Sequence, residues 1–292
     1  MEGQVAVVTG GASGIGRATV ERMIAAGGHV VFGDLNRDSA QRLIDELGAP
    51  DGLRFVPTDV AEEDDVAALV AMAMSTFGRL DVMFNNAGVG GAYGPITAIE
   101  VEDWDRTFGV LVRSVFLGTK HAARVMIEQG DGGSIVNTAS VAGLSGGGGP
   151  QAYSAAKAAV INLTYSTAVE LAVHRIRVNA ICPGLINTPL AIRNDRVRGR
   201  VRELMSLVQP WPDLGRPEDI AALVVWLAGP ESVFVSGEAI RVDGGLTAAG
   251  PRMIGMTDPN GAFVRSTGFA DGTTGRPPVK RPIGDRPSPT PG

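Results

Sequence analysis

Short apolar, β-branched runs recur along the chain, each followed by a longer segment of helical character. Val5-Ala-Val-Val-Thr9 has no polar alternation and reads as a strand buried on both faces. The same reading places further strands at 29–34, 54–57, 81–85, 133–139, 175–181 and 239–242. Helices are expected at 14–26, 38–47, 62–77, 101–128, 152–172 and 217–227. Strictly alternating strands and helices argue for an α/β fold with a parallel sheet and helices on both faces. Right-handed crossovers then bring the loops after the strands to one edge of the sheet. Gly14, Asp34, Asn86, Ser140 and Pro183, far apart in the chain, would meet there.

The first of these loops is Gly10-Gly11-Ala12-Ser13-Gly14-Ile15-Gly16, set between a strand and the helical segment Arg17 to Ala26. Strand, glycine-rich turn and helix together present backbone N–H groups and a helix N-terminus to a phosphate. Gly10 would allow the tight turn, Gly14 the close approach of a pyrophosphate, and Gly16 the packing of helix on strand. Glycine-rich turns are common, and the chain has 40 glycines; the flanking strand and helix are what set this one apart. The second strand ends at Asp34, about 20 positions beyond the glycines, where an acid is expected to bind the ribose 2′-hydroxyl of NAD and repel the 2′-phosphate of NADP. Asp34 could equally cap a turn, and Arg17 and Arg37 lie nearby, but the position favours NAD.

A second constellation lies further along. Tyr153 and Lys157 are one helical turn apart in Tyr-Ser-Ala-Ala-Lys, so they share a helix face. A tyrosine with an ordinary pKa of about 10 is a poor proton donor near neutrality. A nearby ammonium favours the phenolate and lowers that value. Ser140, a short loop upstream, could polarise the carbonyl that Tyr153 protonates. With a hydride carrier these are the parts for interconverting an alcohol and a carbonyl.

The chain resembles the short-chain dehydrogenase/reductase family over about residues 3–246. The resemblance rests on Thr9-Gly10-(x3)-Gly14-Ile15-Gly16, Asp59-Val60, Asn85-Asn86-Ala87-Gly88, Ser140, Tyr153-(x3)-Lys157, Pro183-Gly184 and Val242-Asp243-Gly244-Gly245, in this order. It implies a single doubly wound Rossmann domain with a parallel seven-stranded sheet. It further implies that Ser140 orients the carbonyl, Tyr153 is the acid/base, and Lys157 binds the nicotinamide ribose and tunes Tyr153. Gly10, Ser13, Gly14, Ile15, Gly16, Asp34 and Leu35 would hold the cofactor. Asp59 and Val60 would meet its adenine, Asn86, Ala87 and Gly88 the adenosine ribose and the central sheet. Pro183 and Gly184 would lead Ile186 and Thr188 to the nicotinamide carboxamide. Family members usually assemble as dimers or tetramers; a homotetramer is expected here, with Tyr165 and the apolar residues from Val160 to Leu171 at an interface.

One position departs from the family. Where members usually carry Val-Asn-(x2)-Gly, this chain has Val110-Leu111-Val112-Arg113-Ser114. The family asparagine supports a bound water linking the lysine to solvent; Leu111 keeps the backbone carbonyl and loses the side-chain amide. The leading reading is an NAD-dependent enzyme interconverting a secondary alcohol and a ketone. The alternative is a non-catalytic dinucleotide-binding sensor, or an impaired enzyme.

Composition narrows the picture. Hydrophobic residues are 44% and charged residues 20% of 292, as expected of one large globular α/β enzyme domain. A net charge of −5 disfavours nucleic acid. The lone Cys182 excludes an internal disulfide, and no secretory leader or membrane-spanning run is evident, so a cytoplasmic protein is expected. His29, His121 and His174 match no metal-ligand spacing, and no metal is expected. Glu62-Glu-Asp-Asp65 reads as a favourable charge at a helix start, and the arginines from Arg193 to Arg202 as a solvated helix face.

The connection over about 185–216 is long enough to be a substrate lid. Its Leu190, Ile192, Leu204, Met205, Leu207, Val208 and Trp211 suggest a hydrophobic substrate, and the small residues Gly146–Gly149 and Val89–Tyr93 a roomy pocket for a bulky or cyclic one. The dehydrogenase domain is taken as 1–250. The extension 251–292 is rich in Gly and Pro, a composition typical of disorder. Its Met253, Ile254, Met256, Phe263 and Phe269 nevertheless suggest that residues 250–270 dock on another subunit or near the active site.

Overall fold

The computed structural model describes residues 1–192, 195–248, 266–269 and 279–282. Strands β1 (Val5–Thr9), β2 (His29–Asp34), β3 (Leu53–Pro57), β4 (Val82–Asn85), β5 (Gly133–Thr138), β6 (Ile176–Pro183) and β7 (Ala239–Val242) form one seven-stranded sheet in the order β3-β2-β1-β4-β5-β6-β7. Every neighbouring pair is parallel. The order reverses between β1 and β4, and a parallel sheet opens its ligand crevice at such a point.

The apolar runs have a direct cause. Successive side chains alternate between faces, but both faces are covered, so neither needs polar residues. Ala6, Val8, Val30 and Phe32 pack with Val20 and Met23 of helix α1 (Gly14–Ala25), Leu43 of α2 (Arg37–Glu46) and Val224 of α8 (Pro217–Ala228). Val5, Val7 and Val31 point the other way. They meet Leu69 of α3 (Glu63–Phe77), Met126 of α5 (Ser114–Gln129) and Leu171 of α6 (Gln151–Leu171). The acidic residues Glu63, Asp64 and Asp65 do occupy the first turn of α3, and Glu63 pairs with Lys120 at 2.6 Å.

Two segments differ from the sequence reading. The helix expected over 101–128 is interrupted: α4 (Val101–Phe108) passes through a π turn at Gly109–Arg113 before α5 begins. There the Ser114 N–H bonds the Gly109 carbonyl, five residues back, and the Ser114 hydroxyl donates to the Val110 carbonyl at 2.6 Å. Such wide turns break a helix without ending it and recur at functional sites. Leu111 lies in this turn and is buried. The connection 185–216 also contains a helix, α7 (Asp195–Val208). This agrees with reading the arginines there as a helix face, although the connection as a whole was expected to be a loop; its Arg, Glu, Leu and Met residues are good helix formers.

The chain forms two compact units, Met1–Gly245 and Leu246–Gly292. In the second, β8 (Ser266–Phe269) and β9 (Val279–Pro282) pair antiparallel. The expected docking of residues 250–270 falls outside the described residues except for 266–269. No described helix is long and apolar enough to cross a membrane.

Candidate active site

The glycine turn joins β1 to α1. Ser13 precedes α1 in an extended conformation and its side chain makes no capping bond, so the first N–H groups of the helix are left for an incoming anion. Gly14 has φ +52°, and a Cβ on Gly16 would lie 2.0 Å from the Gly10 carbonyl oxygen, so no other residue fits this packing. Asp34, at the end of β2, accepts from the Ala12 N–H at 3.0 Å and the Asn36 N–H at 2.9 Å. Its carboxylate therefore also fastens the turn. Leu35 beside it is 71% exposed.

Asn86 ties the next loop to this turn. Its amide donates to the carbonyls of Thr9 (3.1 Å) and Gly10 (3.3 Å) and accepts from the Thr138 hydroxyl (3.4 Å). The Thr9 hydroxyl receives the N–H groups of Asn86 (2.9 Å) and Ala87 (3.1 Å). Gly88 adjoins Leu111. Asp59 accepts from the Ala61 N–H at 2.9 Å, and Val60 is buried against Val66 and Leu117. At the far side, β6 ends at Pro183, and the Gly184 N–H donates to the Val242 carbonyl. Ile186 is buried, and Thr188 lies against Gly14.

Ser140, Tyr153 and Lys157 meet beyond the carboxyl end of β5. Ser140 is buried, and its hydroxyl oxygen accepts from the Ala142 N–H at 3.1 Å. Its hydroxyl also lies within hydrogen-bond reach of the Tyr153 oxygen, so the two groups face one spot. Lys157 is buried, donates to the Thr138 carbonyl at 2.6 Å, and holds its ammonium nitrogen 5.7 Å from the centre of the Tyr153 ring. Burial pushes the Lys157 ammonium down to about 8. Burial raises Tyr153 above 10, and a hydrogen bond with Ser140 acts in the opposite direction. The expected lowering of Tyr153 by Lys157 does not appear: burial is the larger influence, and the opposing one comes from Ser140.

A family model described as enoyl-(acyl carrier protein) reductase matches residues 10–247. The chain belongs to the short-chain dehydrogenase/reductase family. It is 40% identical over 251 residues to 3beta-hydroxysteroid dehydrogenase 2 of Eggerthella lenta, covering 85% of this chain and 96% of that protein. It is 41% identical over 261 residues to (+)-borneol dehydrogenase 2 of Salvia officinalis, covering 84% and 90%. The crystal structure of levodione reductase superposes with a TM-score of 0.80 at 34% identity, covering 85% of this chain and 99% of that one.

Oxidoreductases of the short-chain dehydrogenase/reductase family use NAD(P) nucleotides. The residues here fit such a cofactor: an uncapped helix N-terminus, glycines whose Cβ positions are filled, and an acid where β2 ends. Thr9 entered the sequence reading only within the family motif, without a role of its own. Thr138 lay beyond it, because it acts through its carbonyl, which no motif reports. Cys182 is a buried free thiol pushed up to about 11, mainly by burial, which makes it unreactive.

Proposed function

We propose that this protein is an NAD-dependent oxidoreductase interconverting a bulky or cyclic hydrophobic secondary alcohol and its ketone. The observation that carries the reading is the gathering of Ser140, Tyr153 and Lys157 beyond the carboxyl end of β5, with Lys157 joined by hydrogen bonds through Thr138 and Asn86 to the glycine turn. The glycine turn, Asp34 and Lys157 would hold NAD, which would supply hydride-transfer chemistry at the carbinol carbon. In oxidation, the substrate O–H proton passes to the Tyr153 oxygen; in reduction, Tyr153 returns it to the carbonyl oxygen. Ser140 donates to that same oxygen and fixes its position. Lys157 spends one N–H on the Thr138 carbonyl and keeps the others for the ribose hydroxyls and the phenolate.

NAD is favoured over NADP for two reasons. The Asp34 carboxylate would repel a 2′-phosphate. Arg17, the nearest cation in sequence to the turn, is paired with Glu21 at 2.7 Å and with Glu46. Arg37 is exposed, so the two cofactors are to be compared directly. The names of the relatives, a hydroxysteroid dehydrogenase and a borneol dehydrogenase, denote cyclic alcohols and support a cyclic substrate. Leu190 and Leu204, exposed on the segment 185–216, would offer apolar contact.

We also infer a homo-oligomer, with a tetramer favoured. Phe116 is exposed in a groove of about 450 Å³ between α5 and α6 whose lining includes the apolar Ala123, Ile127, Leu163 and Leu171, and Tyr165 on α6 is exposed too. A second copy would cover this apolar surface. The lone thiol fits a cytoplasmic setting.

A panel of cyclic and short linear secondary alcohols, assayed with NAD and with NADP, tests the reading. Cyclic substrates and NAD should give the higher kcat/KM. Preference for the short linear ones overturns the substrate class, preference for NADP the cofactor, and no turnover at all the activity.

A further inference from the structure

A chain of buried hydrogen bonds runs through the core from β4 to α6. Asn85 of β4 and Asn137 of β5 stand opposite one another in the parallel register. The Asn85 amide donates to the Asn137 side-chain oxygen at 2.9 Å and to the Thr119 hydroxyl of α5 at 3.4 Å. The Asn137 amide donates in turn to the Thr164 hydroxyl of α6 at 3.0 Å, and that hydroxyl donates to the Val160 carbonyl at 2.8 Å. None of these four side chains belongs to a residue more than 5% exposed.

Each of these bonds has a fixed direction. Thr164 has a single hydroxyl hydrogen, spent on Val160, so toward Asn137 it can only accept. Asn137 accepts with one end of its amide and donates with the other, so its orientation is set from both sides. What lies next to it gives this placement its consequence. Thr138, the following residue, offers the carbonyl that holds the Lys157 ammonium at 2.6 Å. Lys157 and Thr164 are two helical turns apart, so they look out from one side of α6, and both are buried, as is Val160 between them. Adjacent residues of β5 thus grip α6 at two points on the same face. One grip ends on Lys157 itself, the other on Thr164.

We propose that Asn137, through Thr164, is a positioning residue for Lys157: it fixes how α6 lies on β5, and so where the ammonium stands relative to the Thr138 carbonyl and Tyr153. The inference rests on the reading of the protein as an alcohol/ketone oxidoreductase for what Lys157 does, and on the geometry alone for how it is held. The Thr138 bond by itself cannot set that place. Lysine carries its charge on a flexible four-carbon stem, which can keep one hydrogen bond while the helix beneath it slides or turns. A second link two turns along removes that freedom. Asn137 and Thr164 have short side chains with few rotamers, so their bond leaves little slack between strand and helix.

The test is Thr164→Val, which keeps the shape and removes the acceptor, beside Thr164→Ser, which keeps the hydroxyl. The chain has three lysines, Lys120, Lys157 and Lys280, so NMR of isotope-labelled lysine can titrate the buried one directly. Lys157 titrates at about 8 in the parent; Tyr153 and Cys182 beside it are both raised by burial and stay neutral through that range. In Thr164→Val the midpoint should move toward 10.5 as a looser helix admits water, and kcat should fall about tenfold. Thr164→Ser should match the parent. An unmoved midpoint in the valine variant overturns the proposal, as does a serine variant equally displaced. Asn137→Leu combined with Thr164→Val separates positioning from stability, and serves if the single variant does not fold. Both polar partners are then apolar groups of the same shape, so Tm should recover. A midpoint and kcat still displaced support the proposal; parent-like values overturn it. Should the parent chain oxidise no alcohol, the proposed function falls, and the lysine signal, which needs no turnover, still decides this inference.

Discussion

Lys157 gives a hydrogen to the Thr138 carbonyl at 2.6 Å from a position almost wholly removed from water. One backbone oxygen is thus the fixed anchor of the cation, and the same residue's hydroxyl reaches Asn86 and, through it, the cofactor turn. Orientation of the lysine and shape of the turn are coupled through Thr138.

The acidity of Lys157 carries a sign that can be checked. Its folded value, about 8, lies below the ordinary 10.5. Below pH 8 the amine is charged in folded and unfolded chains alike, and the penalty of burying it is fully present. Between about 8 and 10.5 the unfolded chain holds a proton that the folded one has released, so stability rises with pH across that window. Lys157→Met should therefore raise Tm below pH 8, and the gain should shrink toward pH 10.5. A Tm difference that is constant with pH would refute the shift. In the parent chain NAD affinity should weaken as pH rises through about 8.

Tyr153→Phe keeps the ring that lies beside Lys157 and removes the oxygen that moves the proton. Turnover should fall by about 10²–10⁴-fold, the usual worth of a positioned acid/base. The dissociation constant for NAD, read by fluorescence quenching, should change little. Retained turnover would remove Tyr153 from the reaction.

Asp34→Asn separates two duties of one carboxylate. An amide oxygen can still accept from the Ala12 N–H, so the glycine turn should survive, with Tm close to the parent. The charge is lost, and kcat/KM with NADP should rise relative to NAD by about tenfold, a shift of about 1.4 kcal/mol. An unmoved cofactor ratio would mean that Asp34 only fastens the turn.

Leu111→Asn restores an amide in the π turn. Turnover should increase with little change in NAD affinity, because a polar group could again support a water path to the buried amine. Leu111 is 1% exposed, so the substitution should also lower stability by about 1–3 kcal/mol, visible in Tm. Equal kcat in both chains would show the missing amide to be dispensable.

Val169→Arg places a charge on the apolar face of α6, where Val169 is 81% exposed. If that face joins two copies, the variant should shift to a smaller species in light scattering while its spectrum stays folded. An unchanged mass would move the interface elsewhere.

Much of this was legible in the residues themselves. Strands buried on both faces leave unbroken apolar runs, so β1 to β7 could be read from Val5-Ala-Val-Val-Thr9 and its successors to within two residues at either end. A glycine turn between strand and helix, and a tyrosine and lysine four apart, report their chemistry through local spacing alone. The interrupted helix at Leu111 was not legible. A π turn arises where packing forces one extra residue into a helical repeat, and propensities at 109–113 do not register that. α7 was legible in part: its arginines read as a helix face, and only its extent was hidden within a connection expected to be a loop.

Other features belong to the tertiary structure alone. That Tyr153 is raised rather than lowered follows from how much water its neighbours exclude, a sum over segments distant in sequence. That Thr138 anchors Lys157 depends on a backbone carbonyl, which every residue has and no sequence pattern marks. Side-chain chemistry and its periodic spacing are written along the chain; exclusion of water and the aim of a carbonyl exist only after the chain has folded.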